Sequence, residues 1–248
     1  MMKSVIDKIK TFSENNRDDW FKFEREGLDF PFYNNNPHIS KWKWVLFLLS
    51  PLIVLIFTPP IPYLDGAIGF ILILLIFGYI TKWKYELIFK KIQKRDLKLI
   101  VLLVIVGFFL AMAMYMIVTY FGIVGSETPV YEDLESLSYW VSFPFDIFIE
   151  EFVKLIPFLA ILTLSFHFTK KRKLSIVIAT IITLIIFGLL HTDNSGSIVI
   201  ALAAVGIPSV VDVFAYLKTK NIVITYLTHL IFDILLFALA YFGTILFF

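Results

Sequence analysis

The chain has 248 residues, of which 59% are apolar and 17% are charged, and its formal net charge is +2. A soluble domain is about 45–50% apolar and about 25% charged, so this composition excludes an ordinary soluble enzyme. The absence of cysteine excludes disulfides, thiolate catalysis and Cys-ligated metal.

Seven apolar segments follow one another along the chain. A bilayer core roughly 30 Å thick needs about 20 helical residues, and several segments reach that length. They are 44–63, 66–81, 99–124, 143–168, 174–191, 196–217 and 222–246. Prolines interrupt the first pair, and "GIP" at 206–208 predicts a broken sixth helix. The sequence therefore predicts an all-α polytopic membrane protein, a bundle of about seven transmembrane helices.

Basic residues alternate between the connections and predict the orientation. Residues 1–43 hold eight, 82–98 hold seven, 169–173 hold four and 218–221 hold two, while the other connections hold none. Because Lys and Arg accumulate on the cytoplasmic side, we expect a cytoplasmic N-terminus and a C-terminus outside. We expect an integral, multi-pass protein of a prokaryotic plasma membrane.

Two predicted domains follow. Residues 1–43 mix acidic, basic and aromatic side chains, which is typical of an amphipathic cytoplasmic arm on the inner membrane surface. Residues 44–248 form the transmembrane domain. The loop 82–98, basic with Trp83, Tyr85 and Phe89, is expected to lie against anionic lipid in the same way.

The fourth apolar segment carries charges in its first half. Asp146, Glu150 and Lys154 recur every four residues and share one helix face, and Glu151 is within reach of Lys154 at i+3. A charge inside a bilayer costs at least about 2.5 kcal/mol, and such residues face each other or a wet cavity.

Two later segments add protonatable groups. Phe187 and His191 share a face in "FGLLH", and His229 and Asp233 share one in "HLIFD". A Glu–Lys pair or one histidine alone could merely join helices. Their coincidence on three successive spans favours a site.

The chemistry of this set leaves two schemes open. A carboxylate can take a proton from water while imidazoles donate to an oxyanion or a leaving amine. Alternatively, Glu150, His191 and His229 could hold a divalent metal such as zinc. We expect no cofactor, with zinc as the open alternative.

The motifs "EEFVK" (150–154), "FGLLH" (187–191) and "HLIFD" (229–233) resemble those of the CAAX-protease and bacteriocin-processing family. These are glutamate-dependent intramembrane proteases that include the Ras-converting type. The resemblance covers about 145–240. One departure concerns the basic residue, which stands four after the second Glu in the family, where this chain has Leu155. A neighbouring membrane protease group, which cleaves anti-sigma factors, has the spacing of Lys154.

The resemblance implies roles for the predicted site residues. Glu150 would be the general base that activates water, and Glu151 its partner. His191 would help to hold the water, while His229 and Asp233 would stabilise the oxyanion. The supporting residues would be Lys154, Phe187 and Asp146.

The depth of His229 presents a geometric difficulty. With straight helices, this side chain would stop about 10–15 Å short of Glu150. Helix tilt would close that gap, as would a broken sixth helix that lifts the short "KTKN" turn at 218–221 into the bundle.

The predicted function is an intramembrane endopeptidase. Its expected partners are membrane lipid and a peptide or membrane-anchored protein substrate, and no nucleic acid. A proton-coupled membrane transporter is one alternative, because transporters also use intramembrane Glu, His and Asp. A non-catalytic membrane scaffold related to the same family is the other.

Overall fold

The structure is a computed structural model that describes residues 39–123 and 136–247, and these residues are helical with short connections and no strand. The helices are α1 Lys41–Phe57, α2 Asp65–Thr81, α3 Lys94–Tyr120, α4 Leu137–Thr169, α5 Arg172–Leu190, α6 Thr192–Ser195, α7 Ile198–Ile200, α8 Val210–Thr219 and α9 Ile222–Phe247. A 3₁₀ turn, Tyr85–Leu87, follows α2, and a π-helical turn, Ala201–Gly206, continues α7. The predicted all-α class is confirmed.

Each predicted span corresponds to a helix or, for the sixth, to the run from α7 to α8. Four described segments are long and apolar enough to cross a membrane, namely α3, α5, Ile198–Thr219 and Ile222–Leu239. Helices α1 and α2 are apolar but have only 17 residues each, about 25 Å. The chain is an integral membrane protein. Its orientation and its division at residue 43 stay predictions, and residues 1–38 lie outside the described part.

Helix α4 is the central element and the longest, with 33 residues. Aromatic side chains join it to the first two helices: the ring of Phe152 lies 5.8 Å from Phe77, and Phe77 lies 6.0 Å from Phe47. Phe152 has no exposed surface. A second apolar cluster joins α3 to α8 and α9. The charged face of α4 is thereby left to meet α5, α8 and α9.

The connection after α2 folds back into the bundle. The Tyr85 hydroxyl donates to the Leu74 carbonyl at 3.0 Å, Ile88 is fully buried, and the Phe89 ring stacks on Phe148 of α4. The prediction that the aromatic rings of this loop lie along lipid is therefore wrong for Tyr85 and Phe89, because these half-buried rings pack against the core of the bundle. Trp83 is 59% exposed.

The predicted break in the sixth span is a change of hydrogen-bonding pattern. The Ile207 N–H bonds to the Leu202 carbonyl, five residues back, whereas the Asp212 N–H bonds to Ser209, three back. Pro208 has no N–H to continue an α-helical ladder. The backbone thus passes through a π turn and a 3₁₀ turn before α8 begins, which rotates Asp212 toward α4.

Close packing of α5 against the π turn requires glycine. A Cβ atom on Gly206 would stand 2.8 Å from the Leu184 carbonyl oxygen, which belongs to a packed helix. We therefore expect Gly206→Ala to lower the free energy of unfolding by about 1–3 kcal/mol, measured by thermal unfolding in detergent. Gly107→Ala is the control, because its Cβ would first meet a side-chain methyl at 3.3 Å. An equal loss in both variants would contradict the prediction.

Candidate active site

The two adjacent glutamates of α4 have different surroundings. The Glu150 side chain is 34% exposed, and it lines a cavity of about 490 Å³ between α3, α4, α5, α8 and α9. The Glu151 side chain is only 2% exposed. The 100° rotation between successive helical residues accounts for this difference. Glu150 is the carboxylate that a substrate or a water in the cavity can reach.

Glu151 belongs to a buried charge cluster. The Lys154 ammonium lies 2.5 Å from Glu151 Oε1 and 2.5 Å from Asp212 Oδ2. All three side chains are at least nine-tenths buried. Burial of one ammonium among two carboxylates avoids the cost of an unpaired charge in the interior.

His229 connects this buried cluster to the cavity. Its Nδ1 lies 2.8 Å from Glu151 Oε1, where it donates to the carboxylate. Its Nε2 lies 3.8 Å from Glu150 Oε2 and 3.5 Å from Asp233 Oδ2. The Glu151 bond fixes the ring orientation, so that Nε2 points at the two carboxylates of the cavity.

His191 approaches Glu150 from the end of α5. Its Nδ1 donates to the Phe187 carbonyl at 2.9 Å, and its Nε2 lies 3.7 Å from Glu150 Oε2. The Phe187 ring lies 4.5 Å from the His191 ring, and the Lys154 ammonium lies 4.6 Å from the Phe187 centroid. Phe187 thus separates the imidazole from the buried cation and holds the ring in place.

The central feature of the site is therefore Glu150 Oε2 between two imidazole nitrogens. Separations of 3.7 and 3.8 Å exceed direct hydrogen bonds. A water molecule with bonds of about 2.8 Å could bridge the three atoms. The arrangement can bind and polarise one water beside a carboxylate.

A family of known proteins matches the part of the chain that contains this site. Residues 132–235 match the family model described as Type II CAAX prenyl endopeptidase Rce1-like. This segment, called the Rce1-like segment below, is similar to that family and contains all three motifs. No curated protein and no solved structure matches the chain significantly. The resemblance inferred from the three motifs is confirmed.

The Rce1-like segment brings together all of the residues that its motifs nominate. His191 and His229 lie within 4 Å of Glu150. The other motif side chains of the site each contact one of these two histidines, namely Glu151, Lys154, Phe187 and Asp233. The catalytic roles of these residues stay predictions. Asp146 lies one turn nearer the start of α4, lines the same cavity and packs against Gly66 of α2. The site set is Asp146, Glu150, Glu151, Lys154, Phe187, His191, His229 and Asp233.

The gap expected between Glu150 and His229 does not occur, because His229 Nε2 lies 3.8 Å from Glu150 Oε2. The turn before α9 is inside the protein, where Asn221 is 1% and Ile222 0% exposed. The Asn221 side chain bonds to the backbone N–H and carbonyl of Lys90, and the Ile222 N–H bonds to Ile88. The folded-back loop thus holds the start of α9 at a depth that places His229 beside Glu150.

One residue of the candidate site was not predicted from the sequence, Asp212. It stands outside the three motifs and pairs with Lys154, which is 58 positions away in the sequence. The indication was its charge inside the apolar sixth span. The contact between Asp212 and Lys154 also explains why the basic residue stands at 154 and not at 155. From this position, three residues after Glu151, the Lys154 ammonium reaches the carboxylates of both Glu151 and Asp212.

One cluster of described side chains has the spacing of metal ligands. One ligand atom each from Glu151, Asp212 and His229 lie within 4.8 Å of one another. The Lys154 ammonium already occupies the position between them, 3.2 Å from His229 Nδ1. The cluster therefore holds the Lys154 ammonium and leaves no room for a metal ion.

The predicted metal set, Glu150, His191 and His229, is a different case. Tetrahedral zinc with bonds of about 2.0–2.1 Å separates its ligand atoms by about 3.4 Å. The separations from Glu150 Oε2 are 3.7 and 3.8 Å, but among the described residues only the cluster of Glu151, Asp212 and His229 brings one ligand atom from each of three side chains within 4.8 Å of the others. In this conformation the Glu150 set therefore does not have metal-ligand spacing. The metal scheme stays the alternative to direct water activation.

Proposed function

We propose that the chain is an intramembrane endopeptidase that hydrolyses a peptide bond with water activated by Glu150. The observation that supports the proposal most is the position of Glu150 Oε2, at the cavity wall and 3.7 and 3.8 Å from two imidazole Nε2 atoms. The family model, which names an endopeptidase, supports the same class of reaction.

In the proposed mechanism, Glu150 takes a proton from the bound water while the water oxygen attacks the scissile carbonyl carbon. His229 acts as an imidazolium that donates from Nδ1 to Glu151 and, with its Nε2–H beside Asp233, stabilises the oxyanion that forms on the carbonyl oxygen. Collapse of this intermediate breaks the C–N bond, and the proton held by Glu150 passes to the leaving amine. His191 orients the water, and Glu151 holds the His229 ring through Nδ1.

The family description points to prenylated C-terminal peptides as one substrate class. Bacteriocin-like or signalling peptides and membrane-anchored regulators are the others that the family resemblance implies. The cavity opens among membrane-spanning helices, which suits substrates that reside in or at the bilayer.

Cleavage of a pooled peptide library by the purified chain in detergent tests the proposal. We expect cleavage by wild type and none by Glu150→Gln or His229→Ala, with activity retained in the presence of a chelator. Loss of activity with a chelator and recovery with zinc would instead favour the metal scheme. No cleavage by wild type, together with proton-driven flux in liposomes, would favour the transporter.

The charge of the cavity predicts a preference among peptides. Its described lining includes the carboxylates of Asp146, Glu150, Asp212 and Asp233 but neither Lys nor Arg. We therefore expect a peptide with Lys beside the scissile bond to have a kcat/KM about 2–5-fold above that of its Glu counterpart. Asp146→Asn should reduce this ratio, and Asp193→Asn, an exposed carboxylate outside the cavity lining, should not. An unchanged ratio in Asp146→Asn would contradict the prediction.

A further inference from the structure

The buried Lys154 ammonium and the His229 imidazole compete for one oxygen of Glu151, and a fourth residue relieves this competition. The same oxygen, Glu151 Oε1, lies 2.5 Å from Lys154 Nζ and 2.8 Å from His229 Nδ1. The ammonium and the imidazole thus share one acceptor, and they lie only 3.2 Å apart. Without another anion, the ammonium would compete for the acceptor and repel a protonated His229.

Asp212 is that other anion. Its Oδ2 lies 2.5 Å from Lys154 Nζ, on a side chain only 8% exposed. It lines both the catalytic cavity and a second, small cavity that Glu151 and Lys154 also line. Asp212 therefore stands at the boundary between the buried cluster and the reaction space.

The backbone of the sixth span determines this placement. The Asp212 N–H bonds to the Ser209 carbonyl three residues back, and the next N–H, of Val213, bonds to the same carbonyl four residues back. Asp212 is thus at the point where the 3₁₀ turn after Pro208 becomes α8. The distorted segment contributes a charge to the site although none of the three motifs includes it.

We propose that Asp212 is a positioning residue for His229. It neutralises Lys154, so that Glu151 Oε1 remains the acceptor for His229 Nδ1–H and Nε2 stays directed at Glu150 and Asp233. This inference rests on the proposed endopeptidase function. It does not require contact between Asp212 and the substrate.

A double-mutant cycle with the best library peptide tests the inference. Asp212→Asn leaves the ammonium under-compensated, so we expect kcat to fall about 10–100-fold with KM changed less than about twofold. Adding Lys154→Met removes the ammonium, and kcat of the double variant should exceed that of Asp212→Asn. Asp212→Glu, which keeps the charge, should retain more activity than Asp212→Asn. Asp96→Asn is the control, because Asp96 is a buried carboxylate that caps α3 outside the site.

The outcomes separate positioning from a structural role and from failure of the proposed function. A wild-type kcat in Asp212→Asn, or a double variant no better than that single variant, would overturn the inference. If Asp212→Asn does not fold, Asp212→Glu and the double variant are compared with wild type, and loss of cleavage in both folded variants would overturn the inference. If wild type cleaves nothing, the ¹⁵N resonances of His229 still test the inference. They should move in Asp212→Asn, move back in the double variant and stay fixed in Asp96→Asn, and resonances unmoved by Asp212→Asn would refute the positioning role.

Discussion

Replacing Glu150 by glutamine is expected to reduce kcat for peptide cleavage by about 10³-fold. Glutamine has nearly the same shape and can still line the cavity, but its amide cannot take a proton from water. The two imidazole Nε2 atoms near Glu150 Oε2 would remain in place. Single-turnover cleavage of the preferred peptide measures the effect.

The control for this substitution is Glu86→Gln, an exposed glutamate in the loop after α2. It should leave kcat unchanged. Both variants should unfold at the wild-type temperature, because Glu150 is partly exposed and is not part of the buried cluster around Lys154. Wild-type cleavage by Glu150→Gln would mean that another group activates the water, and the proposed mechanism would be wrong.

The arrangement of the spans was accessible from the sequence because hydropathy and helix period are local properties. The stripe of Asp146, Glu150 and Lys154 follows directly from the 3.6-residue period. Proline at 208 removes a backbone donor, so the distortion in the sixth span was predictable. The kind of distortion, a π turn followed by a 3₁₀ turn, was not, because it depends on packing between Gly206 and the α5 backbone.

The candidate site was predictable as a set of residues, since charged groups in lipid must meet one another. Its depth and its counter-ion were not. The depth of His229 depends on bonds between Asn221 and Lys90, residues 131 positions apart. The pairing of Asp212 with Lys154 likewise depends on two helices in contact. A single sequence carries no information on such distant pairs.

The folded-back loop illustrates the same limit. Lysines alternating with Trp83, Tyr85 and Phe89 are typical of a segment on a lipid surface, and they also suit a loop whose rings pack inward. The choice depends on whether partners exist inside. Leu74, Phe148 and Asn221 supply them, so this loop supports α9 and, through it, the position of His229.

Lys154→Met is the substitution expected to affect stability most. It would leave the carboxylates of Glu151 and Asp212, both at least nine-tenths buried, without their shared cation. Removal of one partner from a buried ion pair costs about 3–5 kcal/mol. The free energy of unfolding, measured by denaturant titration in detergent, should fall by that amount. Lys98→Met, an exposed lysine of α3, should change it by less than about 0.5 kcal/mol.

The physical cause of this loss can be separated from a loss of packing. Methionine nearly fills the volume of the lysine stem, so a packing defect alone would be small. If unpaired charge is the cause, adding Asp212→Asn to Lys154→Met should restore part of the stability, because one buried charge fewer remains. Equal stability of the single and double variants would show that the carboxylates take up protons or reach water. The buried cluster would then orient the His229 ring without stabilising the folded protein.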